Sequence, residues 1–466
     1  MSQPGMFQSP IAAPDKMKRS MGVKLLVVCG LALVMTVPSF FVSSLLDERT
    51  SREADVVKEI SAHVGGQQTF LGPTLAIPYV IKAKDAEHND SGGIYLVFPV
   101  QASAAVKTTT EERKRSLFKV PVFQADLKMD ASFDLTGVPS AAPEGAQLDW
   151  SRAEMVVGVS DPRGAQSDAI ATIDGKSITM TPAGISPDLS FNGEQGQQTP
   201  LRLFGAKANE VAKPGAQFNA SAALRFSGAQ HIAVLAYGKT THLAMQGDWP
   251  SPGFDGGFLP ASRSLSANGF SAEWTVPFIA RGVAAEGQSD AIRALDATAL
   301  GVNFVEVADP YQSVNRSLKY LLLFLGLVFL SYFIFEVTTG KRIHPAQYLL
   351  VGVAQVIFYL LLLSLAERIG FDYGYLLAGL ATVVLLAANA AWIFASRLQG
   401  FRALGVFGLL YTLIYFLLRL EDDALLLGAI ASFAVVAAVM YFTRRIDWYS
   451  ALPVSAVPDT PPSTTN

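Results

Sequence analysis

The chain has 466 residues, of which 50% are hydrophobic and 16% charged, and its net charge is −3. Ordinary soluble domains carry roughly 25% charge, and the mean hydropathy here is +0.32, so much of the chain is expected to face lipid. Nothing in this balance points to a nucleic-acid partner, which calls for a basic domain or stripe, and the single cysteine, Cys29, excludes an intramolecular disulfide.

Residues 1–20 read as a cytoplasmic tail carrying Lys16, Lys18 and Arg19. A signal-anchor transmembrane helix is predicted over 21–46. Its apolar run from Val23 to Leu46 is interrupted only by Lys24. At about 1.5 Å per residue the run crosses a hydrocarbon core of about 30 Å. A cleaved signal peptide would have a shorter apolar region followed by small residues; here Phe40, Phe41 and Val42 stand before Ser43. Pro38 is expected to kink the helix.

Residues 47–312 form the predicted periplasmic β-rich domain. Its first segment, to Val64, reads as helix, with Glu53, Val57, Ile60 and Val64 on one face and Gly65-Gly66 as a stop. Strand signals follow at Ile94–Phe98, Leu117–Phe133, Gln217–Phe226, His231–Tyr237, Thr241–Gln246, Phe270–Ile279 and Thr298–Val307. Asp174-Gly175 between two strand-like runs over 169–180 predicts a hairpin. The charge run Glu111–Arg115 reads as a solvated turn between strands. The short spacing of the turn signals suggests an antiparallel sandwich or curled sheet.

A transmembrane bundle of five helices is expected over 318–442, at 318–339, 347–366, 373–396, 403–420 and 424–442, with a tail over 443–466. The fold class is therefore a membrane protein, α + β: six spans in total plus a large, mainly antiparallel β domain. Orientation follows from Lys and Arg in the short loops. One set holds Lys341, Arg342, Arg397, Arg402, Arg444 and Arg445 beside the N-terminal cations; the alternate set holds Arg368 and Arg419 among five carboxylates. Both termini are thus expected in the cytoplasm and the large domain outside. Glu421-Asp422-Asp423 predicts a tight turn between the last two helices.

Chemistry is sparse. His63, His88, His231, His242 and His344 lack metal-ligand spacing, and no G-x-S-x-G, P-loop, G-x-G-x-x-G or H-E-x-x-H string occurs. No catalytic, cofactor-binding or metal residue is assigned, and no cofactor is expected. His231 and His242, on neighbouring predicted strands, could approach each other. Within the spans, Glu336 and Arg419 lie near helix ends where their long side chains can snorkel toward water, and Gln355 and Asn389 suit hydrogen bonds between helices.

Several strings carry a resemblance. They include Thr69-Phe-Leu-Gly-Pro-Thr-Leu-Ala-Ile-Pro-Tyr79, Gly158-Val-Ser-Asp-Pro-Arg-Gly164, the run from Asp248 to Pro260, and Gly269-Phe-Ser-Ala-Glu-Trp274. Others run over 309–320, 343–352, 420–428 and 443–449. Together, in this order from about residue 20 to 450, they resemble the CreD family of bacterial inner-membrane proteins. The sequence departs from the family pattern at Ser251 and Gly253, where His and Ser often stand. The resemblance implies an envelope-stress setting, regulation by a two-component system and an effect on tolerance to colicins and β-lactams. It implies no catalytic reaction.

The positions singled out as structural or interaction candidates are Gly72, Pro73, Asp161, Arg163, Gly164, Trp249, Trp274, His344 and Pro345. Asp161 and Arg163 read as a turn whose charged groups cap backbone, the tryptophans as core or membrane-proximal anchors, and His344 as a cap. The leading expectation is a non-enzymatic protein of the bacterial inner membrane that supports envelope integrity, with its outer domain binding or bracing an envelope component or membrane protein. A lipid or small-molecule transporter is the alternative, and a membrane-embedded enzyme ranks below it.

Overall fold

A computed structural model describes residues 21–82, 90–184, 189–192, 198–304 and 310–419, with isolated positions between 426 and 444. Two compact units emerge. One is formed by residues up to 50 and from 308 onward, the other by residues 51–307.

The first unit is helical. Helices α1 (Met21–Val34) and α2 (Thr36–Val64) are nearly continuous. They part at Met35, four residues before Ser39 and one turn before Pro38, whose ring clashes with the carbonyl four residues back, that of Val34. The interruption expected from Pro38 therefore falls at Met35, directly after the residue whose carbonyl Pro38 strikes. Val28, Ala32, Met35, Val42 and Leu46 are buried along one face. At Gly352 a Cβ would lie 2.5 Å from the Met35 side chain, so only glycine allows this approach. The N-terminal helix is thus a packed member of the bundle and more than an anchor.

After two short helices in the other unit, α3 (Val138–Ala141) and α4 (Phe278–Arg281), the bundle resumes with α5 (Pro310–Lys319), α6 (Leu321–Thr339), α7 (Pro345–Ile369), α8 (Phe371–Phe394) and α9 (Arg397–Arg419). Among the described residues five helices are long and apolar enough to cross a membrane: the helix over 24–64 and α6 to α9. The sixth expected span, 424–442, and the acidic turn before it lie largely outside the described residues.

The second unit holds the C-terminal half of α2 and two sheets. In chain order the first strands are β1 (Gln68–Ile81), β2 (Ser91–Val97), β3 (Gln101–Arg115), β4 (Phe118–Asp134), β5 (Ala146–Leu148), β6 (Glu154–Val159), β7 (Ile170–Ile173), β8 (Lys176–Thr179), β9 (Thr181–Pro182) and β10 (Leu189–Asn192). They continue as β11 (Gln198–Lys207), β12 (Gln217–Ala229), β13 (His231–Leu235), β14 (Thr240–Gly247), β15 (Pro252–Gly256), β16 (Ser262–Ser266), β17 (Gly269–Val276), β18 (Glu286–Gln288) and β19 (Ala299–Phe304). The first sheet runs β10-β11-β6-β1-β13-β19-β15, with β2, β5, β9 and β18 attached at its sides; the second runs β16-β17-β14-β3-β4-β12-β7-β8. Most pairings are antiparallel, but β1 with β13 and β3 with β14 are parallel, which the turn spacing did not foretell.

The second sheet follows the two-residue period of a half-buried strand: Ala102, Ala104 and Val106 of β3 point inward, and Phe218, Ala220, Ala222 and Leu224 of β12 do likewise. Strands β1, β6 and β13 are buried at almost every residue, as expected of central strands covered on both faces. Phe70 meets Phe226 edge-on at 5.4 Å, and Phe123 meets Phe304 at 5.2 Å, which joins the two sheets through aromatic contacts. The hairpin at Asp174-Gly175 forms, with both φ angles positive (48° and 84°), as a two-residue turn of matching twist requires.

The charge run Glu111–Arg115 is strand, not turn. It is the outer end of β3, paired residue by residue with β4 down to Arg115 opposite Phe118. Both faces are exposed there, so the period in polarity disappears while the backbone pairing continues. The hairpin then reverses through Ser116, which takes a positive φ of 57°.

Tyr237 locks the sheets together. Its ring lies on Gly72, where a Cβ would come within 2.5 Å, and its hydroxyl reaches the carbonyls of Ser103 and Asp130 in the second sheet at 3.0 and 2.9 Å. Gly72→Val should therefore cost about 1–3 kcal/mol through overpacking and lower the unfolding temperature of the detergent-solubilised full chain. Gly137→Ala, whose Cβ meets nothing within 4 Å, should leave it unchanged. Equal shifts for the two variants would sink this account.

Candidate functional site

The nine positions singled out from sequence do not converge. Gly72 and Pro73 sit in β1 where its register with β6 shifts between Leu71 and Thr74. Trp274 is buried and donates its indole N–H to the Phe258 carbonyl at 3.0 Å. Trp249 packs edge-on against Phe304, 6.2 Å between ring centres. His344 caps α7, its Nδ1 accepting from the Ala346 amide at 3.2 Å, and Pro345 opens the helix where no amide is needed. His231 and His242 do not meet. The first lies 3.2 Å from Asp255 in the first sheet, and the second 3.1 Å from Thr275 in the other.

Asp161, Arg163 and Gly164 do stand at a junction, the point where α2 ends against the sheets. Gly65, with φ 79°, stops the helix. The Gly66 amide donates to Asp161 Oδ2 at 3.2 Å, and the Arg163 amide donates to Oδ1 at 3.0 Å. The Arg163 guanidinium also grips this carboxylate, with Nη2 2.6 Å from Oδ2. That guanidinium holds the Asp161 carboxyl below its ordinary range; partial burial opposes it, and the two amides assist. Gln68 Nε2 donates to the carbonyls of Asp161 and Ser227, and Ser227 Oγ donates to the last helical carbonyl, Val64, at 2.6 Å. Upstream, Val57 and Ile60 pack on Val120, Val122 and Ala229, and Glu59 pairs with Arg115 of the hairpin tip. Beside this latch a cleft of about 330 Å³ is lined by His63, Thr109, Thr110, Gln124, Gln166 and Ser227, a set of hydroxyls, amides and an imidazole that can bind polar ligands.

A broad concavity lies on the outward face of the second sheet. Two adjoining hollows of about 510 and 400 Å³ run across β3, β4, β12 and β14. Their floor is made of short side chains such as Ala105, Ala223, Ala244, Ser103 and Ser221, bordered by Lys107, Lys128 and the Asp126–Arg225 ion pair at 2.6 Å. Alanine is a poor strand former at a solvated position; its use here leaves the backbone open to close approach. Among the described residues no three His, Cys, Asp or Glu side chains gather as a metal site.

The roles of three groups escaped sequence reasoning. Arg281 is buried, lies 4.4 Å over the Phe98 ring and donates Nε to the Ala236 carbonyl at 2.9 Å; burial brings its pKa down to about 10. In the helical unit Glu336 does not snorkel. It is 2% exposed and pairs with Lys24, while also accepting from the Tyr348 hydroxyl and the Ile343 amide at 3.1 Å each. At the opposite end of α7, Glu367 pairs with Arg49 at 3.7 Å and accepts from the Tyr311 hydroxyl at 3.2 Å. Two carboxylates separated by the length of α7 thus hold the N-terminal helix at two levels, Lys24 and Arg49. The partners are 312 residues apart in the first pair, beyond the reach of local pattern.

Five apolar helices of membrane-crossing length among the described residues, joined to a two-sheet β domain that bears broad surface concavities, define a multi-pass membrane protein with a large extramembrane domain. The pattern of the family described as inner membrane protein CreD matches residues 20–449. The chain is also 30% identical over 440 residues to inner membrane protein CreD of Escherichia coli (strain K12), covering 92% of this chain and 93% of that protein. The chain belongs to the CreD family and is a multi-pass protein of the inner membrane.

Two outcomes follow. Glu336→Ala strands Lys24 in an apolar setting and should destabilise the solubilised chain by about 3 kcal/mol, whereas Lys24→Leu with Glu336→Leu should recover most of that loss; thermal unfolding of the three proteins separates them. Asp161→Asn should cost about 1 kcal/mol at neutral pH, the usual worth of a side-chain cap. Because the folded-state pKa of Asp161 lies below its unfolded value, its stabilisation is complete above the unfolded value and fades as pH falls through the folded one. The gap between wild type and Asp161→Asn should therefore close in acid.

Proposed function

We propose that this chain is a non-enzymatic protein supporting cell-envelope integrity and the response to envelope stress, acting by binding or bracing through its β domain. The domain lies in the periplasm and both termini lie in the cytoplasm. The observation that carries this reading is the uncovered face of the second sheet, with its adjoining hollows of about 510 and 400 Å³ and its floor of short side chains. The short floor residues stand among longer polar side chains, Lys107, Lys128, Asp126 and Arg225, and leave recesses that another surface can enter. The distribution of Lys and Arg among the loops supports the orientation. The partner is an envelope component or a membrane protein, with the bilayer holding the helical unit.

The test uses photo-crosslinking side chains at Ala223 and Ile170 on the open face, with Glu144 as a control site, in intact cells. Capture of one protein, lipid or glycan from the face and not from the control is expected. Capture no greater than the control, in a folded protein, refutes the binding reading. For orientation, Ser262→Cys in a Cys29→Ala background should react with a membrane-impermeant maleimide in intact spheroplasts; labelling only after lysis would place the domain on the other side.

A further inference from the structure

A groove of about 470 Å³ runs between α8 and α9, a size that suits an organic ligand. Its floor is formed by Tyr375, Tyr411 and Gly379, and its lips by Leu376, Leu380 and Phe416, whose side chains face outward from the bundle. Glycine opens it: at Gly408, which lines the groove, a Cβ would meet nothing within 4 Å, so the helix carries unfilled space there.

The groove has direction. On α8 it extends from Asp372 to Val383. Eleven residues at 1.5 Å rise give about 16 Å, close to half of a hydrocarbon core of about 30 Å. One leaflet's acyl chain fits that depth. The mouth is polar. Asp372 pairs with Arg419 and accepts from the Tyr415 hydroxyl at 3.0 Å, and both charged side chains remain about half exposed. A guanidinium and a carboxylate side by side offer a phosphate and an amine one partner each. They match a zwitterionic headgroup better than a purely anionic one, which would meet Asp372 as a like charge.

The chain after α9 does not claim this space among the described residues. Gly428 approaches Leu417, and Leu417 is about 180° around α9 from the groove residues Gly408, Tyr411, Thr412 and Tyr415 at about 100° per residue. From these observations we infer that the α8–α9 groove is a binding site for a phospholipid with a zwitterionic headgroup. One acyl chain lies along Gly379 and Gly408, the phosphate meets Arg419 and the amine meets Asp372.

Native mass spectrometry of the full chain released from nanodiscs tests this, with phosphatidylethanolamine and phosphatidylglycerol as competing probes. Several-fold preferential retention of phosphatidylethanolamine is expected. Gly408→Leu should fill the groove and cut retention several-fold, and Thr412→Leu, an exposed groove position, serves as the second filling variant if the first fails to fold. Asp372→Asn should shift the preference toward phosphatidylglycerol while retention persists. Unchanged retention in a filling variant with wild-type unfolding temperature overturns the site. Equal retention of both lipids overturns the headgroup assignment. A disulfide between Leu380→Cys and a cysteine placed within 424–442 would show the groove filled by the chain itself and overturn the lipid reading.

Discussion

Lys24 and Glu336 meet inside the helical unit across 312 residues of sequence, and the arrangement of that unit depends on their meeting. A lone ammonium at the start of an apolar helix, or a lone carboxylate near the end of another, would be costly to bury. Paired, and with both carboxylate oxygens further satisfied by the Tyr348 hydroxyl and the Ile343 amide, they become tolerable. Arg49 and Glu367 repeat the device at the other end of α7. Between the two pairs, Met35 fits against Gly352 at a distance only glycine permits. The ion pairs set the register of the N-terminal helix, and the apolar face from Val28 to Leu46 then supplies the contact area. The Lys24–Glu336 pair cannot form until the whole β domain and α6 have been synthesised, so completion of the helical unit is tied to completion of the chain.

The β domain solves a different problem. With Cys29 as the chain's only cysteine it has no disulfide to staple it, and it relies on a core between two large sheets. Several contacts hold that core in one arrangement: Tyr237 over Gly72, the Phe70–Phe226 and Phe123–Phe304 pairs, and the Gln68–Ser227–Asp161 latch at the foot of α2. The first sheet is buried on both faces at its centre, whereas the second keeps one face open. That asymmetry follows from composition. Strands β1, β6 and β13 are buried at nearly every position, but β3 over residues 101–109 and β12 over residues 217–226 alternate, and an alternating strand has only one face to bury.

This contrast also explains what the sequence could disclose. Long apolar runs are legible because lipid tolerates little else, and α6 to α9 lie where such runs occur. Alternating strands such as β12, and the Asp174-Gly175 turn, are legible because their periods are local. Strands β1, β6 and β11 are harder to read: Gly72-Pro73 interrupts the first with a bulge, and burial on both faces removes the period from the second. Glu111–Arg115 misleads for the opposite reason, since exposure on both faces mimics a turn. The parallel β1–β13 and β3–β14 pairings join segments more than a hundred residues apart, and no local pattern encodes them. Glu336 reads as a snorkelling side chain until the partner on another helix is known.

The strings that carry the family resemblance turn out to do geometric work. Gly72 admits Tyr237, Asp161 caps the entry to β1, Trp274 fills the core, and His344 with Pro345 starts α7. Each constrains backbone or packing, and none assembles with another into a reactive centre. Residue matches of this kind specify the fold and leave chemistry to surfaces whose residues are individually unremarked: the alanines of β3, β12 and β14, and the glycines and tyrosines between α8 and α9. Short side chains reveal nothing in a linear sequence, because their meaning is the space they leave. In this molecule the informative features are therefore absences of side-chain volume, made visible only when strands and helices distant in sequence are brought to one face.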